Sequence, residues 1–198
     1  MLEKIKDINL ALTNKSYLSA LALSLTIPDI CGQIEYPDLK KKNGERNIRK
    51  QYVAWFDDWV NQYFADNTGW TKDGSKASNP YFTGEMCYSL RCSFLHAGNS
   101  DIKKWGEEED ANFYYSYEFE LAIGGADKNG ISWVTPTKNN LKILKKRTVR
   151  VNIDKLCEYI CLSAEKYYGE KDPNLFKDHK IKIIDFNSFK NHEKDFNN

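Results

Sequence analysis

Several features that mark common protein classes are rare or missing in this 198-residue sequence. Histidine occurs three times and methionine twice, and 29 basic against 28 acidic residues leave a formal net charge of +1. Such a balance gives no general affinity for nucleic acids or membranes, so any such surface must be local. The most apolar run, 18–27, has about half of the roughly 20 residues that a membrane helix needs. Acidic Glu3 and Asp7 interrupt a signal-peptide layout. We therefore expect a cytoplasmic protein without a membrane partner.

Sequence signatures of metal, redox and nucleotide sites are also missing. The five cysteines form no C-x-x-C pair, and each lies in an apolar helical context where a free thiol behaves as a small hydrophobic group. There is no Walker motif, G-x-G-x-x-G, H-E-x-x-H or G-x-S-x-G. The sequence therefore predicts core thiols, no metal site and no cofactor.

Apolar periodicity divides the chain into helices and a shorter β region. Helical spacing predicts helices over 2–13, 17–27, 47–64, 84–97 and 153–168. Pro28 marks a kink or a restart after the second, and Thr83 can cap the fourth. The third has an apolar stripe made of Ile48, Tyr52, Trp55, Phe56, Trp59 and Tyr63. Residues 113–123 alternate between apolar and polar, and 131–136 and 141–153 have strand character. The order predicts an α+β fold, mainly α, as one domain over 1–198. Its helical bundle covers about 2–100 and 153–168, with a small antiparallel sheet inserted at about 111–151.

The stretch "LRCSFLHAGNSD" places Arg91 and His96 in an otherwise apolar helix that ends near Gly98. Arginine offers a permanent charge and a planar fork that suits a phosphate, and histidine exchanges protons near neutral pH. The two together suit metal-free cleavage of an RNA phosphodiester, in which protons move and charge develops on the phosphate. The alternative is structural, because an arginine and a histidine on a core-facing helix can also serve as partners for buried polar groups.

Spacing limits how one copy of this helix could act. Positions five apart differ by roughly 140° around an ideal α-helix, so Arg91 and His96 do not share a face in mid-helix. They converge only if His96 lies in the last turn or if a second copy completes the site. Because one histidine serves one proton transfer well, a homodimer would supply both transfers.

The segment "YSLRCSFLHAGNSD" resembles the R-x4-H segment of HEPN-domain proteins. "ALALSLTIPDICGQIE" is similar to the opening helix of small bacterial HEPN-like proteins that join such a segment to a later "LRCS-L-H". The resemblance covers about residues 15–100, and the β-rich part would be an insertion. It implies a four- or five-helix bundle, dimerisation through the motif helices and a composite cleft. Many members are metal-independent ribonucleases of toxin–antitoxin, abortive-infection or CRISPR systems.

The resemblance assigns roles to few residues. Arg91 would stabilise the phosphate and His96 would be the acid or base. Cys92 is a supporting position, where nuclease members often carry Asn or Asp. From its chemistry, Asp29 is a supporting candidate as well. An acidic residue in an apolar helix needs a cation, which Arg91 or His96 could supply, or it caps the helix that restarts at Pro28.

Two basic stretches give further candidates for RNA binding. One lies in the predicted strand region and includes Lys142, Lys146 and Arg150, and the other is the loop and helix start at 40–50, which includes Arg46. Both could bind phosphates. Composition favours solvated surface for both, and edge lysines also prevent strand aggregation.

The sequence thus predicts a metal-independent endoribonuclease of a stress-response or phage-defence system. It would act as a homodimer on RNA, with an antitoxin or operon partner. One alternative is a non-catalytic HEPN-like module that binds RNA, a nucleotide or a protein. The other is a helical scaffold in which Arg91 and His96 only tie helices together.

Overall fold

The computed structural model describes residues 1–65, 80–100, 102, 113–134 and 143–179, with backbone alone for 113–117, 131, 133–134, 143–145 and 147. Within these ranges six α-helices and one three-stranded sheet form the fold, which confirms the predicted α+β class, mainly α. The helices are α1 Leu2–Thr13, α2 Tyr17–Ser24, α3 Ile27–Glu35, α4 Ile48–Trp59, α5 Gly84–Cys92 and α6 Ile153–Glu170. The strands are β1 Phe113–Ala122, β2 Lys128–Val134 and β3 Ile143–Asn152.

Local chemistry explains where the helices begin and end. Pro28 lies in the first turn of α3, where its missing N–H has no helical partner to lose, so the predicted restart is confirmed. The Asn47 side chain caps α4 by accepting from the Lys50 N–H, and Thr83 caps α5 in the same way. Helix α4 is shorter than predicted, because the chain tightens into a 3-10 turn over Asn61–Phe64.

The segment Tyr17–Glu35 is apolar. Taken as one helix it is long and apolar enough to cross a membrane, on length and composition alone. The described chain instead bends between α2 and α3, and 44% of the segment is buried inside the protein. The fully buried Leu21, Leu25 and Ile27 belong to the core that α6 shares. This packing is typical of core helices.

Helix α4 supplies the centre of the hydrophobic core. Tyr52, Trp55 and Phe56 on its predicted apolar stripe are fully buried. The Trp55 ring meets Tyr167 of α6 edge to face, with 5.9 Å between centroids. Four of the cysteines are buried as predicted, while Cys92 is half-buried. The buried four are Cys31, Cys87, Cys157 and Cys161.

The sheet is mixed, which corrects the prediction of an antiparallel one. Strand β3 lies in the middle, antiparallel to β2 but parallel to β1. The connection 123–127 therefore crosses the end of β3 instead of forming a hairpin. Asn152, the last residue of β3, fixes this crossing by donating from its backbone N–H and its side chain to the Asp127 carboxylate, both over 2.8 Å. Alternation in a sequence shows which face is buried but not which strand is the neighbour.

Over residues 118–121, where side chains of β1 are described, the two faces of the sheet follow the predicted alternation. Phe119 and Leu121 pack against the core, and the Phe119 ring stacks on Phe82 with 5.7 Å between centroids. Glu118 and Glu120 instead form ion pairs with basic residues of β3. The sheet thus shares one core with the helices.

Two glycines set the distances of α3 and α5 from α4. A Cβ atom added to Gly84 would lie 2.7 Å from the Val53 carbonyl oxygen of α4, and Gly32 of α3 lies comparably close to Gln51. The missing side chains let both helices approach the α4 backbone directly. Asp29 on α3 and Arg91 on α5 are thereby brought together across the start of α4.

Candidate functional site

An ion pair between α3 and α5 lies at the centre of the candidate site. Arg91 Nη2 in the last turn of α5 donates to Asp29 Oδ2 over 3.1 Å. The Arg91 side chain is 18% exposed and that of Asp29 is 21% exposed, so both are largely removed from water. Of the alternatives for Asp29, the structure shows the contact with Arg91. It shows no side-chain cap on α3, although Asp29 lies in the first turn, where a carboxylate also suits the helix dipole.

A second arginine shares the same carboxylate. Arg46 Nη2 donates to Asp29 Oδ1 over 2.5 Å and to the Asp29 carbonyl oxygen over 2.7 Å. Arg46 Nε donates to Gln51 Oε1, which ties the group to α4. Arg46 is positioned by a short hairpin in which it pairs with Lys40. The sequence placed Arg46 only in a basic stretch, and no local pattern indicates its contact with Asp29, 17 residues away.

The Arg91 guanidinium retains donors after binding Asp29. Its Nε is buried and has no hydrogen-bond partner among the described residues. Its Cζ lies 6.0 Å from the centroid of the Tyr88 ring, which adds a weak cation–π contact. Burial, together with the adjacent Cys92 thiol, raises the pKa of the Tyr88 phenol. The phenol is therefore neutral near pH 7 and does not neutralise Arg91.

His96 lies on a π-helical turn, Ser93–Ala97, that continues α5. Gly98 ends this turn in the left-handed conformation, with φ of 66°, and its N–H donates to the Ser93 carbonyl, which agrees with the predicted helix end. A π turn bonds residue i to i+5 and so holds more residues than an α turn. It therefore reduces the 140° offset that a regular helix would place between Arg91 and His96.

The two motif side chains differ sharply in accessibility. His96 is exposed, and no hydrogen bond to its imidazole is found within the part of the chain that the structure describes. Arg91 is mostly buried and paired. The arrangement places an exposed imidazole on the turn that follows an anchored positive charge. Cys92, one residue after Arg91, is half-buried on the same helix and interacts with the Tyr88 phenol.

Two of the basic strand residues, Lys146 and Arg150, are paired with carboxylates of β1. Lys146 Nζ is 2.9 Å from a Glu118 carboxylate oxygen, and Arg150 Nε is 2.7 Å from one of Glu120. These pairs remove the net positive charge that phosphate binding would use, and favour the solvated-surface interpretation. Lys142 lies outside the described residues. RNA binding by this strand stays a prediction.

Across 1–65, 80–100, 113–134 and 143–179, no group of three His, Cys, Asp or Glu side chains is placed to hold a metal ion. The groups described at the candidate site are two guanidinium groups, a carboxylate and an imidazole.

Comparison of the chain with protein-family models, with curated proteins and with solved structures gave no significant match in any of the three. Function is therefore inferred from the residues and their geometry.

Proposed function

We propose that the protein is a metal-independent endoribonuclease of a cytoplasmic stress-response or phage-defence system. The observation that carries the proposal is the presence, at one helix end, of an anchored arginine and an exposed histidine. Arg91 is fixed by Asp29 at the end of α5, and His96 projects to the surface from the following π turn. The likeness of the R-x4-H segment to HEPN-domain ribonucleases supports the same assignment.

The reaction would be an internal transfer within RNA. The 2′-oxygen attacks the adjacent phosphorus, a cyclic phosphate forms, and the bond from phosphorus to the 5′-oxygen breaks. Negative charge that develops on the phosphate would be stabilised by the permanent charge of the Arg91 guanidinium, which Asp29 holds in place through Nη2. His96 would supply the proton to the departing 5′-oxygen, a step that contributes typically about 10²–10⁴-fold.

A homodimer would complete the site. The 2′-hydroxyl must lose a proton while the 5′-oxygen gains one, and His96 is the only histidine near Arg91 in sequence. A second copy of the α5 end would supply a second imidazole. In a toxin-type system, an antitoxin or operon partner would block this composite cleft.

A non-catalytic binding module is the second candidate. The pairing of Arg91 with Asp29 favours it, because a guanidinium that is 18% exposed reaches a bound phosphate only by its outer nitrogens. Such a module would bind RNA, a nucleotide or a protein at the same surface without proton transfer. Its affinity would not depend on the protonation of His96.

Incubation of the purified protein with single-stranded and structured RNA in excess EDTA discriminates the candidates. Cleavage that survives EDTA supports the nuclease. Binding without cleavage supports the module. If the protein neither cleaves nor binds RNA, the scaffold interpretation remains, in which Arg91 and His96 only connect helices.

A further inference from the structure

We propose that Arg46 is a positioning residue that keeps the charge of Arg91 available to an RNA phosphate. It would do so by occupying half of the Asp29 carboxylate. The inference rests on the proposed recognition of RNA phosphate at this site. It does not require that the protein cleaves RNA.

The Asp29 carboxylate binds both Arg46 and Arg91. Asp29 presents one oxygen to each arginine, Oδ1 to Arg46 and Oδ2 to Arg91. Arg46 also donates to the Asp29 carbonyl oxygen and to Gln51, so it is held by α3 and α4 without any contribution from Arg91. A carboxylate anchored in this way has one orientation, and it fixes where Arg91 lies.

The net charge of the cluster formed by Arg46, Asp29 and Arg91 decides how well it attracts a phosphate. An arginine bound to a carboxylate of its own forms a neutral pair, which attracts a phosphate poorly. Here two permanent cations share one anion, so the group of three carries a net charge of +1. Lys4 also interacts electrostatically with Asp29, but its Nζ donates to Thr26 Oγ1 over 2.8 Å and not to the carboxylate. Of the two cations bound directly to the carboxylate, Arg46 supplies the charge that Asp29 does not offset for Arg91.

Arg46 uses both Nε and Nη2 within the protein, on Gln51 and on Asp29. Among the described residues Arg91 uses only Nη2 in this way, on Asp29. The phosphate would meet Arg91, and Arg46 would act on it through Asp29. Arg46 need not touch RNA.

Changing the charge of the cluster in steps tests the proposal. Every protein carries His96→Ala, so that a fluorescent 12-nucleotide uridine RNA stays intact while its affinity is measured by anisotropy. With Arg46→Gln the cluster is neutral, and we expect affinity to fall roughly tenfold. With Arg46→Gln and Asp29→Asn together the net charge returns to +1, and affinity should recover to near that of the parent.

The matched control is Lys171→Gln. Lys171 follows α6 and pairs with Glu35, so its loss changes the total charge equally but leaves the Asp29 cluster intact. Its affinity should stay close to the parent. Thermal melting followed by circular dichroism verifies that each variant is folded. If Arg46→Gln fails to fold, Arg46→Lys replaces it, and since lysine keeps the charge its affinity should stay close to the parent.

Three results would overturn the inference. They are equal affinities for Arg46→Gln and Lys171→Gln, no recovery in the double variant, or a tenfold loss with Arg46→Lys. Absence of RNA binding by the parent would also remove it. If the affinities follow the expected order but the wild-type protein does not cleave RNA, only the nuclease proposal is excluded.

Discussion

The backbone of Gly32 lies directly against the carbonyl group of Gln51. A Cβ atom added to Gly32 would be 2.4 Å from the Gln51 oxygen, far inside van der Waals contact. The same Gln51 accepts from Arg46 and donates to the Tyr36 carbonyl oxygen over 2.7 Å. The close approach of α3 and α4 at this point therefore supports the Arg46–Asp29 contact.

Gly32→Ala should destabilise the protein by about 2–4 kcal/mol, because the atom in the way is backbone and cannot move aside cheaply. The matched control is Gly169→Ala in α6, where no atom lies within 4 Å of the added Cβ. That change should be neutral or stabilising by up to about 1 kcal/mol, since alanine is the better helix former. Urea unfolding of both variants measures the difference, and equal midpoints would contradict the packing described for α3.

His96→Ala should abolish RNA cleavage without lowering the melting temperature, since the imidazole is exposed and has no hydrogen bond among the described residues. The loss expected from removing a general acid or base is about 10²–10⁴-fold in rate. His179→Ala, in the 3-10 helix Pro173–His179, is the control and should cleave normally. Single-turnover cleavage assays in EDTA measure both. A lower melting point with unchanged activity would instead indicate a structural tie.

Arg91→Lys should impair cleavage although it conserves the charge. Lysine loses the planar fork, and with it the simultaneous contacts of Arg91 to Asp29 and to phosphate. We expect kcat to fall by more than tenfold and KM to change less, because the contact strengthens as charge develops on the phosphate. Normal activity of this variant would show that only a positive charge is needed at this position.

The nuclease proposal predicts a symmetric dimer at micromolar concentration, with the α5 end at the interface. Light scattering measures the mass, which for one chain is 23.0 kDa. Leu95→Glu, a change at a partly exposed residue of the π turn, should shift the population toward monomer and lower cleavage in proportion. Leu18→Glu, at a more exposed leucine on α2, serves as the control. A wild-type monomer that still cleaves would exclude the composite site.

Thiol chemistry tests the burial of the cysteines. Burial raises the pKa of Cys87 to about 12, of Cys157 to about 11 and of Cys161 to about 12, and it raises the pKa of Cys31 as well. At pH 8 these four thiols are protonated and enclosed. The reactive thiolate would form only at higher pH. Ellman's reagent should therefore titrate a single thiol in the native protein, Cys92, and five in denaturant. Native Cys92→Ser should give none within minutes, and rapid reaction of two or more wild-type thiols would contradict this packing.

Local signals in the sequence predicted much of the fold. Pro28 and Thr83 mark helix starts by their own backbone and side-chain chemistry, and the apolar stripe of α4 identifies its buried face. The neighbours of β1 could not be predicted, because alternation is the same in parallel and antiparallel pairs. Strand direction depends instead on how 123–127 crosses β3, which the Asn152–Asp127 contact fixes.

The candidate site was predicted in part for the same reason. Arg91, His96 and Asp29 stood out because polar side chains in apolar helices require an explanation. Arg46 did not, since it lies among other basic residues in a loop, where a charge needs no partner. Its contact with Asp29 depends on how α3 meets α4, which is a property of tertiary packing.

Because Ser93–Ala97 is a π turn, a regular α-helix with a shorter spacing between arginine and histidine could place the two side chains similarly. In a regular α-helix, residues four apart lie within about 40° of each other, and a π turn accommodates one residue more over the same turn. Deleting one residue between Arg91 and His96 would let the turn close as an α turn and leave the two side chains on a similar face. Single-residue insertions and deletions at this position can therefore conserve a site while changing its signature. Searches for equivalent sites need to allow both spacings.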